Sequence, residues 1–152
     1  MTDSLTFASA SPLLGLPMLF TGQAQKEVFV NEAHSLIDAI AHCAIEGSAS
    51  TPPAAPTSGS NWLVGTGASG DWSGMDGKVA CCQSGNWLFV TPFDGFRVFD
   101  RSRSQFAHYS GGWKTPASVI APTGGTTIDT QARTTLANLI SALQTAGILP
   151  AG

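Results

Sequence analysis

The chain has 152 residues, which is enough for one compact domain with helical extensions but not for two full cores. Only 11% of the residues are charged, the net charge is −3, and seven lysines and arginines are spread thinly along the chain, so no basic surface for nucleic acid is predicted. Since no apolar stretch reaches the roughly 20 residues of a membrane span, we expect no membrane insertion either.

Residues 1–20 are predicted to form an extended N-terminal arm. Pro12 and Pro17 interrupt an apolar segment, and the first residues lack the basic start of a secretory signal, so we interpret the arm as mature chain. We expect it to lie on another surface, where a partner holds it.

An amphipathic helix is predicted over residues 21–47, with Thr21 suited to cap its start and Gly47 to end it. Its apolar residues recur at helical spacing: Phe29, Ala33, Leu36, Ile37, Ile40 and Ala44. The opposite side is polar, and there His34, Asp38 and His42 are four residues apart, a spacing that can offer two imidazoles and a carboxylate to a metal. Because no fourth ligand is indicated, we interpret this side as a solvated polar face and predict no metal or other cofactor.

Residues 48–60 read as a linker, because three prolines among small residues can neither propagate a helix nor build a core. From 61 to 115, short runs of Val, Leu, Phe and Trp alternate with glycine-rich corners, which is typical of consecutive antiparallel hairpins. Strands are expected near residues 62–65, 78–83, 86–91, 95–100 and 105–110. Cys43, Cys81 and Cys82 match neither a disulfide framework nor a zinc site, and we expect free thiols.

A connector over residues 116–127 leads to a C-terminal helix predicted over 128–149, which Asp129 or Thr127 can cap and Gly147 and Pro150 can end. Few charges flank its apolar stripe, so the isolated helix would be marginal in water. The stripe therefore needs either a core or identical neighbours to pack against, and we expect identical neighbours. The residues assigned to this self-association are Leu136, Leu139, Ile140 and Leu143. The predicted fold class is α+β: amphipathic helix, small antiparallel hairpin-rich β domain, short C-terminal helix.

Several short motifs over nearly the whole chain carry a resemblance to a known family. They are Thr21 to Glu27 (TGQAQKE), Asn31 to Ala33 (NEA), Gly67 to Gly74 (GASGDWSG), Gly85 to Trp87 (GNW) and Gly124 to Thr126 (GGT). Together they resemble a family of unknown function from alphaproteobacterial prophages and gene transfer agents. The family often has a polar pair at Phe29-Val30 and an aromatic residue at Cys82. The resemblance implies a place in a virus-like particle, often in or beside tail fibre genes, and supplies no catalytic residues.

The function predicted first is a structural component of a phage-like particle: a tail fibre or attachment protein that links the particle to the host surface and is assembled in the bacterial cytoplasm. Its expected partners are other tail or baseplate proteins, and its expected assembly is a homotrimer. The residues predicted to dock on those partners are Gln23, Gln25, Lys26, Asn31 and Glu32.

The alternative is a module that recognises a host-surface glycan by stacking sugar rings on exposed aromatic side chains. The candidates are Trp72, Trp113 and Tyr109, against the simpler reading that these rings pack in a core. Trp72 lies in the most glycine-rich loop and is expected to be the most exposed. A third reading is an envelope polysaccharide hydrolase, but the β region has no glutamate, one histidine and no nucleophile elbow, so we expect no enzyme.

Overall fold

A computed structural model describes residues 10–14, 16–19, 22, 26–126 and 128–150. It contains two α-helices and two four-stranded sheets, which confirms the predicted α+β class. In chain order the elements are α1 Glu27–Ala41, β1 Ala44–Ile45, β2 Ser48–Ala49, β3 Asn61–Val64, a 3-10 turn Gly70–Trp72, β4 Val79–Gln83, β5 Asn86–Val90, β6 Arg97–Asp100, β7 Gln105–Tyr109, β8 Trp113–Lys114 and α2 Thr130–Thr145.

The chain divides into two compact units, one of residues 1–43 and 48–91, the other of residues 44–47 and 92–152. The first has a sheet in the order β2-β3-β4-β5 and the second a sheet in the order β1-β6-β7-β8. Each sheet is mixed, because its two-residue edge strand pairs in parallel while the other strands pair antiparallel. The β region predicted over residues 61–115 thus contributes strands to both units.

The predicted first helix is too long, because α1 ends at Ala41. Residues 44–45 form a strand within the predicted helix, and residues 48–49 form another within the predicted linker. The strand β1 pairs with β6 through Ala44 opposite Phe99. Its pairing partner lies more than 50 residues further along the chain, where no local pattern points to it. Tertiary pairing therefore overrides the helical periodicity at this end.

The β4–β5 hairpin closes through a two-residue turn. Gln83 is paired with Asn86, and the two residues between them, Ser84 and Gly85, have φ values of 50° and 80°. Positive φ at both positions is the type I′ turn, whose twist matches that of the flanking strands. Behind it, Val64, Trp72 and Ala80 form a buried cluster that is flanked by Trp62, Trp87 and Phe89.

The sheet of the second unit has one buried face and one exposed face. Along β6 and β7 the buried residues Val98 and Ala107 alternate with the exposed residues Arg97, Phe106 and His108. Such alternation is expected of antiparallel strands that cover a core on one side only.

The second helix, α2, is capped as predicted and is largely exposed. The Asp129 carboxylate accepts a hydrogen bond from Ala132 N at 2.9 Å, and Gly147 follows the helix with a φ of 69°. No α2 residue whose burial the structure describes is buried. None of the described helices is long and apolar enough to cross a membrane.

Candidate functional site

Polar side chains on one face of α1 hold the N-terminal segment against the helix. The described residues 10–14 and 16–19 of this segment are called the strap. Asn31 accepts a hydrogen bond from Leu19 N at 2.8 Å and donates one to Leu19 O at 3.0 Å. One turn further along, His34 Nδ1 donates to Pro17 O at 3.0 Å. The described part of the predicted extended arm is not extended, because residues 12–14 form a turn and Ala10 pairs with Pro17 in an antiparallel bridge. The side chains of α1 bind backbone groups that this pairing leaves open.

Asp38 fixes the turn of the strap. Its carboxylate is 3% exposed and accepts three hydrogen bonds, from Ser11 Oγ at 2.7 Å, Leu13 N at 3.0 Å and Leu14 N at 2.5 Å. Ser11 Oγ in turn accepts from Leu16 N at 3.0 Å. A buried carboxylate must be satisfied by donors, and here the donors come from the strap. The contact therefore ties the N-terminal segment to α1.

The interpretation of this face as solvated is wrong for the residues that hold the strap. Asn31 and His34 are half-buried and Asp38 is buried, because backbone groups of the strap take the place of water. His42 is exposed and lies past the end of α1, so it does not continue the helical row. Among the described residues, no three His, Cys, Asp or Glu side chains are grouped so that they could hold a metal ion.

The apolar side of α1 faces solvent, whereas its buried residues are Ser35, Asp38 and Ala39. Phe29 is 76% exposed, Ile37 49% and Ile40 38%, and Ala33 between them is also exposed. These four residues, called the α1 apolar face, form a row over three helical turns. Single exposed apolar residues are ordinary, but a contiguous row is typical of an interaction surface.

A cleft of about 400 Å³ opens between the strap, α1 and the β4–β5 hairpin. It contains two of the predicted docking residues, the half-buried Asn31 and the exposed Glu32. Asn31 is already hydrogen-bonded to Leu19. Glu32 is exposed, so its carboxylate faces solvent and can contact a partner. The cleft is lined by Ala10, Met18, Asn31, Glu32, Ser35, Gln83, Ser84, Asn86 and Leu88.

The remaining docking residues stand just before α1. Lys26 is exposed and precedes the first residue of the helix. Gln23 and Gln25 lie outside the described residues. Asn31 and Glu32 are therefore neighbours on α1, and Lys26 stands at the start of the same helix.

The prediction that Trp72 is exposed is wrong. Its side chain is 0% exposed and meets Trp87 edge to face, with ring centroids 5.0 Å apart. The glycine-rich loop folds its aromatic residue inward because Trp72 belongs to the same cluster as Val64 and Ala80. A ring without an exposed face cannot stack on a sugar.

Tyr109 and Trp113 are half-buried and lie opposite each other in the β7–β8 pair. Their ring centroids are 5.5 Å apart, and Trp113 also meets Phe96 at 6.2 Å. The rings thus belong to an aromatic cluster at one end of this sheet and expose only part of their surfaces. Stacking of a sugar on them stays a prediction.

The four residues predicted for self-association lie on α2. Leu136 and Leu139 are 45% and 53% exposed, while Ile140 and Leu143 are half-buried. None of the four is enclosed in the chain's own cores.

All three cysteines are free and buried. Burial raises the pKa of the Cys43 thiol to about 11, and burial together with the nearby Cys43 raises that of Cys81 to about 12. Thiols held protonated in this way are poor nucleophiles, because the thiolate is the reactive form. The two groups act as small apolar core residues.

The role of Asp38 in holding the strap was missed at the level of sequence. The sequence offered no signal for it, because Asp38 falls on the polar side of the predicted helix. Its partners come from a segment more than 20 residues away that lacks periodicity.

Comparison with known proteins gives one family. A family model described as "Protein of unknown function (DUF2793)" matches residues 30–114, which is more than half of the chain and runs from α1 to β8. No curated protein matches the chain.

Proposed function

We propose that this chain, which belongs to the DUF2793 family of proteins of unknown function, is a structural component of a phage-like particle. It serves as a tail fibre or attachment protein, joins other tail or baseplate proteins after assembly in the bacterial cytoplasm, and carries out no reaction of its own. The assignment to a particle is supported by the resemblance of the chain's motifs to proteins of prophages and gene transfer agents.

The observation that carries the docking role is the outward orientation of the α1 apolar face. Its opposite side is committed to the strap through Asn31 and Asp38, so α1 cannot turn its apolar residues inward without breaking those bonds. Burying a side chain such as Phe29 or Ile37 against a partner contributes roughly 1.5–3 kcal/mol. The face therefore suits a stable contact with another particle protein.

The test is incorporation into particles purified from the source bacterium. We expect Phe29→Gln with Ile37→Gln to leave a folded, soluble chain that is depleted from particles on an immunoblot, because two apolar contacts are lost. The matched control is Val119→Gln with Ile120→Gln, which removes two exposed apolar residues from the connector before α2.

The control chain should be incorporated like the wild type. Equal incorporation of both variants would overturn the docking role of α1. Absence of the wild-type chain from every particle fraction would overturn the particle assignment itself.

Recognition of a host-surface glycan is a second role that the same chain can combine with docking. It is favoured by the half-buried ring pair of Tyr109 and Trp113, which is not sealed in a core. Glycan hydrolysis is not proposed, because three of the four carboxylates of residues 61–115 already accept hydrogen bonds that shape turns: Asp76 from Gly67 and Ala68, Asp94 from Gly111, and Asp100 from Ser102.

A further inference from the structure

Three basic side chains lie side by side on the exposed face of the second unit's sheet. In the strand register, Arg97 of β6 is opposite His108 of β7, and His108 is opposite Lys114 of β8. Residues directly opposite each other project to the same face, and all three are exposed. Neighbouring strands are about 4.8 Å apart, so this basic row is about 10 Å long.

The row concentrates charge in a chain that has little of it. The whole protein has seven lysines and arginines, and two of them stand at the ends of this row. Among residues 92–126 and 128–150, no carboxylate forms an ion pair with Arg97 or Lys114; the ion pairs of this unit involve Arg101 and Arg103. Both exposed side chains are therefore available to pair with an anionic ligand.

Aromatic rings border the basic row on the same face. Phe106 is two residues from His108 on β7 and is 37% exposed, and Phe99 opposite it meets its ring at 5.1 Å. The Arg97 guanidinium stands 5.1 Å from the centroid of the Phe106 ring. Gly147, after α2, lies against the two phenylalanines, so the far side of the aromatic pair is covered and the basic row is open.

We infer that the face formed by Arg97, Phe106, His108 and Lys114 binds an anionic polysaccharide. The guanidinium, ammonium and imidazole groups donate hydrogen bonds to carboxylate or phosphate groups on successive sugar units. The exposed edge of Phe106 contacts the apolar side of a sugar ring. The choice of a polysaccharide rests on the recognition role proposed above. It specifies the ligand's charge and places the site on the opposite face of the sheet from Tyr109 and Trp113, because His108 and Lys114 alternate with those residues along β7 and β8.

Nucleic acid also carries regularly spaced anions, but the row fits it less well. Proteins that bind duplex DNA tightly neutralise roughly 6–10 phosphates with lysine and arginine, whereas this row supplies two such residues. A polysaccharide with one anion per sugar or fewer demands less positive charge.

Binding of the full-length chain to immobilised polygalacturonate, neutral dextran and single-stranded DNA tests the proposal. We expect polygalacturonate to bind, and Arg97→Gln with Lys114→Gln to weaken that binding by about tenfold or more. The matched control, Arg101→Gln with Arg103→Gln, removes two cations from the turn between β6 and β7 in the same unit. It should change the affinity by less than about twofold.

Each outcome decides a different point. Equal weakening by both double variants means attraction by net charge alone and overturns the site. Dextran binding as tight as that of polygalacturonate overturns anion selection but leaves glycan recognition standing, and DNA binding as tight overturns the polysaccharide in favour of nucleic acid. No binding of polygalacturonate by the wild-type chain overturns the inference, while the particle assignment is judged by incorporation. Melting curves of the variants within about 2 °C of the wild type establish that folding is intact.

Discussion

Asp76 organises the loop between β3 and β4 with a single exposed carboxylate. It accepts hydrogen bonds from Gly67 N at 2.7 Å and from Ala68 N at 3.0 Å. These backbone donors favour the charged form and hold the pKa of Asp76 below its usual value. The turn that contains Gly67 is thus tied to the opposite end of the same loop.

Replacing Asp76 by Asn should lower the melting temperature near neutral pH, because the charge-assisted bonds to two backbone amides are weakened. A carboxylate whose pKa is lower in the folded state stabilises the fold above the unfolded-state pKa, and loses that contribution as the pH falls through the folded-state value. The difference between variant and wild type should therefore shrink below a pH of about 3.9, the ordinary aspartate pKa. Thermal melts of both chains across this range measure it.

The control is Asp71→Asn, which neutralises another exposed carboxylate of the same loop. Its melting temperature should follow the wild type throughout. If the difference in melting temperature between Asp76→Asn and the wild type stays constant as the pH falls, the charge of the carboxylate has no part in holding the loop.

The strap is the element whose attachment depends most on one side chain. Asp38→Ala leaves the Ser11 hydroxyl and the Leu13 and Leu14 amides without their acceptor, at a cost of roughly 1–3 kcal/mol. We expect the strap to detach while the sheets stay folded. Hydrogen exchange of the strap amides of Leu13, Leu14, Leu16 and Leu19 should accelerate strongly, with the amides of β4 and β5 unchanged.

Two further variants sharpen this prediction. Asp38→Asn keeps an acceptor oxygen and should restore part of the protection, and Glu32→Ala, which removes an exposed carboxylate from the same helix, should leave the strap protected. Strap exchange that is equally slow in Asp38→Ala and in the wild type would show that the strap is held by other contacts.

Sequence periodicity identified both helices and the central strands but not the orientation of α1. The pattern groups Phe29, Ile37 and Ile40 on one side, and the usual expectation buries such a side. The strap reverses this, because Asn31 and Asp38 need donors and acceptors that only a packed backbone supplies. The basic row was equally hidden, since Arg97 and Lys114 become neighbours only through the strand register.

On the scale of the whole molecule, each helix leaves apolar side chains for a partner. In α2 the residues Ala132, Leu136, Leu139 and Leu143 are four, three and four apart, the spacing of the core positions of a coiled coil. A 16-residue helix with no fully buried residue among those described is marginal in water by itself. Because α2 has little charge, identical copies of it repel one another only weakly. This favours the expected homotrimer, with contacts through Leu136, Leu139, Ile140 and Leu143.

The homotrimer predicts a mass of three times the 15.7 kDa chain by light scattering at micromolar concentration, and Leu139→Lys should reduce it to the monomer. Three lysines brought together in a dry core repel one another and lose hydration, whereas a free α2 keeps the lysine in water. The neighbouring Asn138→Lys adds the same charge off the apolar row and should leave the trimer intact. Helical circular dichroism should fall in Leu139→Lys alone, because α2 depends on its copies for stability. A wild-type monomer with full α2 helicity would contradict both the trimer and the reason given for it.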